Sequence, residues 1–275
     1  MDLTSPNNIK KIIKPTKSLG QNFLIDEAVI DDLIDIADLK KKDNVLEIGP
    51  GLGAITKKLN ERANKVLAIE KDRHLIEHLR NLKLQNVEVI NTDFLQLNLT
   101  DLDKNDYKVV ANLPFNVATA IIRKILTEGE VDSIVVIIQK EVAQKIESKG
   151  DKESFLSVIT KINGNPEVCK TVSRSSFWPA PRVDGAILKI IPHDKYKDTP
   201  YDEMFKIIEA GFKHSRKQLK NNLKNFSNLS KKEAVNLLKS TGLNTKIRAE
   251  DLEVSDWKIL TDKYLTLVKK ENKIN

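Results

Sequence analysis

Five short, almost uninterrupted apolar runs separated by turns and helical periods constrain this chain more than any other feature. They are Asn44–Gly49 (NVLEIG), Lys65–Glu70 (KVLAIE), Val87–Asp93 (VEVINTD), Tyr107–Asn112 (YKVVAN) and Ser133–Gln139 (SIVVIIQ). A strand that is apolar throughout must be covered on both faces, the condition of a parallel sheet between helical layers. Ala54–Arg62, Arg73–Leu82 and Ala118–Leu126 have the helical spacing to supply those layers. Asp26 reads as the N-cap of an earlier helix that gathers Val29, Ile30, Leu33, Ile34 and Ala37 on one face. The expectation is an α/β fold with a mostly parallel sheet.

The pattern changes after about Lys195. DKYKDTP is a polar, proline-containing linker, and beyond it the chain reads as helical over Tyr201–Lys213 and Arg216–Asn225. Ser230 with Glu233 forms a capping-box pattern and Gly242 a stop, bounding a short helix, and a last helix covers Ser255–Lys269. The expected organisation is a basic N-terminal segment at 1–25, an α/β domain at 26–195 and a small all-α domain at 200–275. A chain of 275 residues is long enough for both cores.

Charge enters through its distribution. The net +7 divides as +3 over residues 1–25, −2 over 26–200 and +6 over 201–275. Basic ends around a near-neutral body fit a phosphate-backbone footprint, because counterion release requires clustered cations. No run of about 18 apolar residues occurs, and the N-terminus lacks a secretory apolar stretch, so a soluble, cytoplasmic protein with no membrane partner is expected. The lone Cys169 excludes an internal disulfide and a structural zinc site. His74, His78, His193 and His214 show no partner pattern, so no metal is expected.

The first apolar run leads directly into EIGPGLG, residues 47–53. Glycines at 49, 51 and 53 allow a sharp turn and close backbone approach to a ligand. The spacing is G-x-G-x-G, with Ala54 where dinucleotide binders place a further glycine, so a pyrophosphate cradle is disfavoured. Alone, such a loop equally describes a tight strand-to-helix turn. Glu70 ends the second run, about 20 residues on, where an acid can take both ribose hydroxyls, and Asp93 ends the third, where it can accept from an adenine amine. Together these features resemble the Rossmann-like class I methyltransferases, which use S-adenosylmethionine.

The fourth run ends in NLPF: Asn112, Leu113, Pro114 and Phe115. An adenine exocyclic amine is a poor nucleophile because its lone pair is delocalised into the ring. Acceptors for its two hydrogens, the Asn112 side chain and a backbone carbonyl near Leu113, would free that lone pair for in-line attack on a methyl group. Pro114 keeps the turn rigid, and Phe115 offers a stacking face for a base taken out of its stack. In isolation the motif also describes an ordinary turn with a core phenylalanine.

KSLGQNFLID (Lys17–Asp26), SFWPAPRVDGAILKI (Ser176–Ile190), FKHSRKQLKNNL (Phe212–Leu223) and TGLNTKIRAEDL (Thr241–Leu252) make the resemblance specific. Together they are similar to the KsgA-type small-subunit ribosomal RNA adenine dimethyltransferases, in the same order and over nearly the whole chain. The resemblance implies dimethylation of two adjacent adenosines in a hairpin near the 3′ end of 16S rRNA, on an immature 30S subunit. It further implies that Asn22 and Leu24 touch the cofactor beside Gly49, Gly51, Glu70, Asp93 and Asn112. Phe177 would form the second face of an adenine clamp with Phe115, and Lys213, Arg216, Lys217 and Lys220 would form an rRNA phosphate surface. On the residues alone, Phe177 reads equally as a core aromatic in a rigid loop, and the four cations as a solvated helix face.

The chain departs from the family pattern in three places. Phe115 stands where the family usually has tyrosine, keeping the face and losing the hydroxyl; Trp178 and Ala180 replace small residues or proline. The rivals are Erm-type large-subunit rRNA methyltransferases, which usually carry NIPY, and a non-catalytic RNA-binding assembly factor. Leu113, PRVDGA and IRAEDL argue against the first, and the intact Gly49, Gly51, Glu70 and Asn112 against the second. A DNA methyltransferase would be expected to add a domain that reads base edges. A monomer is the default expectation.

Overall fold

Where the apolar runs demand cover on both faces, the chain supplies it by alternating strand and helix. The computed structural model describes residues 3–16, 19–101, 107–149, 152–196, 198–224, 226 and 229–271. It divides into two compact units: the described residues up to Glu147 with Gly164–Pro192, and Ser148–Asn163 with the described residues from His193 onward.

In chain order the first unit contains α1 (Pro6–Ile12), β1 (Phe23–Leu24), α2 (Glu27–Ala37), β2 (Asn44–Ile48), α3 (Ala54–Arg62), β3 (Lys65–Glu70) and α4 (Arg73–Asn81). There follow β4 (Val87–Asn91), β5 (Tyr107–Asn112), α5 (Ala118–Glu128), β6 (Val131–Gln139), α6 (Lys140–Glu147), β7 (Gly164–Val172), β8 (Phe177–Trp178) and β9 (Gly185–Pro192). The seven-stranded sheet has the order β4-β3-β2-β5-β6-β9-β7. Its first five strands are parallel and are the five apolar runs; β9 is antiparallel to both β6 and β7. Strand β7 and the antiparallel direction of β9 were not expected. β7 contains Pro166 and alternates exposed residues, as an edge strand does, so it lacks the apolar continuity that marks the other five.

Asp26 caps α2, its carboxylate accepting from the Val29 N–H at 3.4 Å. The five apolar residues expected on one face of α2 are buried there, against Val45, Val110 and Val135 of the sheet. Separately, β1 pairs antiparallel with β8, matching Phe23 to Trp178 and Leu24 to Phe177. That pair, continued by the Ile25 N–H donating to the Ser176 carbonyl at 2.9 Å, fastens the N-terminal segment to the first unit.

The second unit contains α7 (Phe155–Asn163), α8 (Tyr201–Phe212), α9 (Leu219–Leu223), α10 (Lys231–Ser240) and α11 (Val254–Glu271). Two expectations are corrected here. Helix α7, placed by the sequence within an α/β domain running to residue 195, buries Val158, Ile159 and Ile162 with Met204, Ile207 and Leu238 of the helical unit. The helix expected over Arg216–Asn225 begins only at Leu219, and Asn225 lies outside the described residues. The Leu219 N–H is drawn to the Ile247 carbonyl at 2.8 Å, and Asn222 donates to the Gly211 and His214 carbonyls, so the chain turns through 213–217 instead. The capping box of α10 is present, with Ser230 and Glu233 bonded reciprocally at 2.7 and 3.2 Å, and Gly242 follows its end at φ +79°. Among the described residues no helix is long and apolar enough to cross a membrane.

Candidate active site

Because β2 lies between β3 and β5, the loops leaving the carboxyl ends of these three strands open on one crevice, the usual ligand position of an open parallel sheet. The glycine loop forms its floor. The Gly49 N–H donates to the Ile69 carbonyl at 2.9 Å. Gly51 has φ +59°, which favours glycine, and a Cβ there would crowd the Phe23 ring at 3.1 Å. Its N–H donates to Glu70 Oε2 at 3.0 Å.

Glu70 Oε1 accepts from the Asp72 N–H at 2.7 Å, so this carboxylate fastens the glycine loop to the start of α4. Burial pushes the Glu70 carboxyl above its ordinary range, opposed by those two backbone donors. Asp93 reaches the same crevice. One of its oxygens accepts from the Leu95 N–H at 3.0 Å and the other pairs with Lys71 at 2.8 Å, which holds its carboxyl below the usual range. Each oxygen keeps a further lone pair.

Asn112, at the end of β5, shows the most directed geometry. Its Nδ2 donates to the Asn22 carbonyl at 2.9 Å, while its Oδ1 is buried without a partner. A carbonyl can only accept, so the amide must turn its nitrogen to Asn22, which leaves its acceptor oxygen buried and unpartnered in a residue that lines the crevice. Asn22 lines it too, although its side chain bonds the Gly20 carbonyl at 3.2 Å. Leu24 is buried beside it. Leu113 is also buried and donates its N–H to the Ile137 carbonyl at 3.1 Å; the Pro114 carbonyl is taken by the Val117 N–H at 3.1 Å.

Phe115 lies half-buried at this wall, its ring centroid 5.9 Å from that of Phe177 with the planes at 69°. The open second face expected of Phe177 is not presented. That ring is only 2% exposed and is committed to the core with Val110, Val135 and Ile137, meeting Phe115 edge-on with no slot between them. The cations of the helical unit are on its surface: Lys213, Arg216 and Lys217 are exposed in the turn after α8, and Lys220 is half-buried on α9. The four do not share one helix, so the alternative of a single solvated helix face does not describe them. Lys17 and Ser18 of the KSLGQNFLID segment lie outside the described residues. Among the described residues no group of three or more His, Cys, Asp and Glu could hold a metal ion.

The sequence reading missed Glu47, immediately before the glycine loop. It is 1% exposed, and neither carboxylate oxygen has a hydrogen-bond partner. Burial, with the Glu70 charge adding, pushes its carboxyl up to about 8; Thr56 lies near enough to oppose the shift without completing a bond. The signal was an acid inside an otherwise apolar strand. Because its folded pKa exceeds the ordinary 4.5, the folded chain keeps a proton that the unfolded chain releases, and stability falls as pH rises through that interval up to about 8. Glu47→Gln should therefore flatten the fall in melting temperature from mildly acidic to mildly alkaline pH; an unchanged slope would mean that Glu47 does not hold that proton.

A family model described as ribosomal RNA adenine dimethylase matches residues 12–265. The chain is 38% identical to a ribosomal RNA small subunit methyltransferase A of Alkaliphilus metalliredigens, over 94% of this chain and 96% of that protein. It is 36% identical to one from Clostridium botulinum, over 93% and 98%. Among solved structures it resembles a dimethyladenosine transferase from Plasmodium falciparum, with TM-score 0.77, 26% identity and coverage of 89% and 98%. It also resembles the 23S rRNA methyltransferase ErmE, with TM-score 0.69, 25% identity and coverage of 88% and 99%.

Proposed function

The chain belongs to the ribosomal RNA adenine dimethylase family, and we propose that it methylates the exocyclic amines of two adjacent adenosines near the 3′ end of 16S rRNA, on the immature small subunit. It is an S-adenosylmethionine-dependent methyltransferase. The observation that carries the chemistry is the buried, unpartnered Oδ1 of Asn112, an acceptor fixed in direction by the Asn22 carbonyl.

The crevice fits the cofactor on its own terms: a glycine loop whose Gly51 has the positive φ that side chains disfavour, and two carboxylates with lone pairs to spare. Gly49 and Gly51 would lie along the cofactor, Glu70 would take its ribose hydroxyls, Asp93 its adenine amine, and Asn22 and Leu24 would close over it. When bound, S-adenosylmethionine supplies an electrophilic methyl group. The protein's part is to present the amine. Asn112 Oδ1 accepts one N–H hydrogen and the Leu113 carbonyl the other, since the neighbouring Pro114 carbonyl is already engaged. With both hydrogens held, the nitrogen lone pair would be freed from the ring system to attack the methyl group the cofactor supplies, the sulfur taking the electrons of the broken S–CH3 bond and the nitrogen then shedding a proton. Phe115 supplies the stacking face, and Phe177 braces it from the edge.

Lys213, Arg216, Lys217 and Lys220 would hold phosphates of the RNA, positioning it without reading sequence. The small-subunit reading is favoured over the large-subunit one by NLPF in place of NIPY and by small-subunit relatives that match at up to 38% identity. We take the chain to act as a cytoplasmic monomer. Labelled methyl transfer to unmethylated 30S subunits, compared with 50S subunits and DNA, tests the substrate assignment. Transfer to 30S is expected; labelling confined to 50S would move the protein to the resistance enzymes, and RNA binding without any transfer would make it an assembly factor.

A further inference from the structure

The carboxylate at the glycine loop and the amide at the end of β5 are joined through hydrogen bonds that meet at two short stretches of chain, Asp72 and Gln21–Asn22. Glu70 Oε1 accepts from the Asp72 N–H at 2.7 Å. The Asp72 side chain caps α4 with one oxygen, accepting from the His74 N–H at 3.0 Å, and with the other accepts from Gln21 Nε2 at 2.7 Å. Gln21 Oε1 in turn accepts from the Thr16 N–H at 2.8 Å. A carboxylate can only accept and a backbone N–H can only donate, so the Gln21 amide has one orientation that satisfies both neighbours. The next residue, Asn22, provides the carbonyl that takes Asn112 Nδ2 at 2.9 Å.

We propose that Gln21 and Asp72 form a positioning link: Gln21, anchored on buried Asp72, holds the N-terminal segment so that the Asn22 carbonyl keeps the Asn112 acceptor oxygen turned toward the amine. Neither residue touches the reacting atoms. The inference rests on the role given to Asn112 above and goes beyond it. Its physical basis is that a side-chain amide has two nearly equivalent orientations, and only the fixed acceptor at Asn22 distinguishes them. Were the segment to shift, Asn112 could present a donor to an amine that needs an acceptor. The pairing of β1 with β8 fixes the segment on the far side of Asn22, so Gln21 is the side-chain tie on the near side. Because the same Asp72 donates its backbone N–H to Glu70, the ribose-binding carboxylate and the amide share one support.

The test exploits the polarity of the bond. Gln21→Glu sets a carboxylate against Asp72. Asp72→Asn keeps an oxygen to cap α4 but can place its new N–H₂ against the Gln21 amide. In the double variant, Asn at 72 can donate to Glu at 21, so the bond is restored with its direction reversed and the net charge unchanged. Gln21→Met removes the bond with no added charge. The expected result is a fall in kcat of about tenfold or more for Gln21→Glu and Gln21→Met, with the KM for S-adenosylmethionine changed far less, and recovery of most of kcat in the double variant. Full kcat in Gln21→Met would overturn the proposal, as would a double variant no faster than its slower parent while melting like the unaltered chain. Absence of transfer even in the unaltered chain would overturn the functional reading beneath it; with transfer in that chain and its loss in Asn112→Ala, full kcat in Gln21→Met overturns the link alone.

Discussion

Asn112→Ala lowers methyl transfer by about two to three orders of magnitude, the usual cost of deleting one group that stabilises charge redistribution in a transition state. Binding of S-adenosylmethionine falls less than transfer does, because the Gly51, Glu70 and Asp93 contacts do not involve residue 112, although the Asn22 carbonyl loses its partner. Asn112→Asp is the sharper variant. It preserves shape and keeps an acceptor in the crevice, but its second oxygen faces the Asn22 carbonyl where Nδ2 now donates. Two acceptors cannot share that contact, so the side chain must turn or take up a proton, and transfer falls toward the level of the alanine variant. Single-turnover transfer, measured beside cofactor binding by calorimetry, checks both. An alanine variant that transfers at the parental rate would remove Asn112 from the chemistry.

The second large effect belongs to Glu70. If Glu70 takes the ribose as proposed, removing it takes away the acceptor of two hydroxyl donors, each such bond to a charged group being worth roughly 1.5–3 kcal/mol, so cofactor affinity falls by about a hundredfold or more. Glu70→Ala also leaves the Gly51 and Asp72 N–H groups without their acceptor, loosening the loop itself. Glu70→Gln is not a mild change here. Both carboxylate oxygens already accept from backbone donors, and an amide nitrogen in either position would meet one of them donor to donor. Both variants should therefore lose binding in calorimetry. Parental affinity in either would place the ribose elsewhere.

Much of the scaffold was legible because its causes are local. The five parallel strands were visible as apolar runs and α2 as a capped, one-faced helix, with its buried residues Val29, Ile30, Leu33, Ile34 and Ala37 named correctly. The unseen elements depend on partners distant in sequence. Strand β7 takes its pairing from β9 and carries a proline, and the core that α7 serves is set by Met204 and Leu238, far along the chain.

The site divides in the same way. Residue types at strand ends brought Gly51, Glu70, Asp93 and Asn112 to one crevice, since a parallel sheet gathers those ends. Orientation was not legible. Nothing in NLPF says which way the Asn112 amide points, because that is set by a carbonyl 90 residues away. Phe177 was assigned a face although β8 turns it into the core, and Glu47 was passed over because a sequence does not show that a strand residue is buried without a partner.

The most direct test of the central claim is nucleoside analysis of small-subunit rRNA after reaction with the purified chain and S-adenosylmethionine. The account predicts N6,N6-dimethyladenosine at two adjacent positions in a hairpin near the 3′ end of 16S rRNA, absent when Asn112→Ala replaces the parent. Methyl groups on any other atom, on another rRNA, or in equal amount with the variant would contradict it.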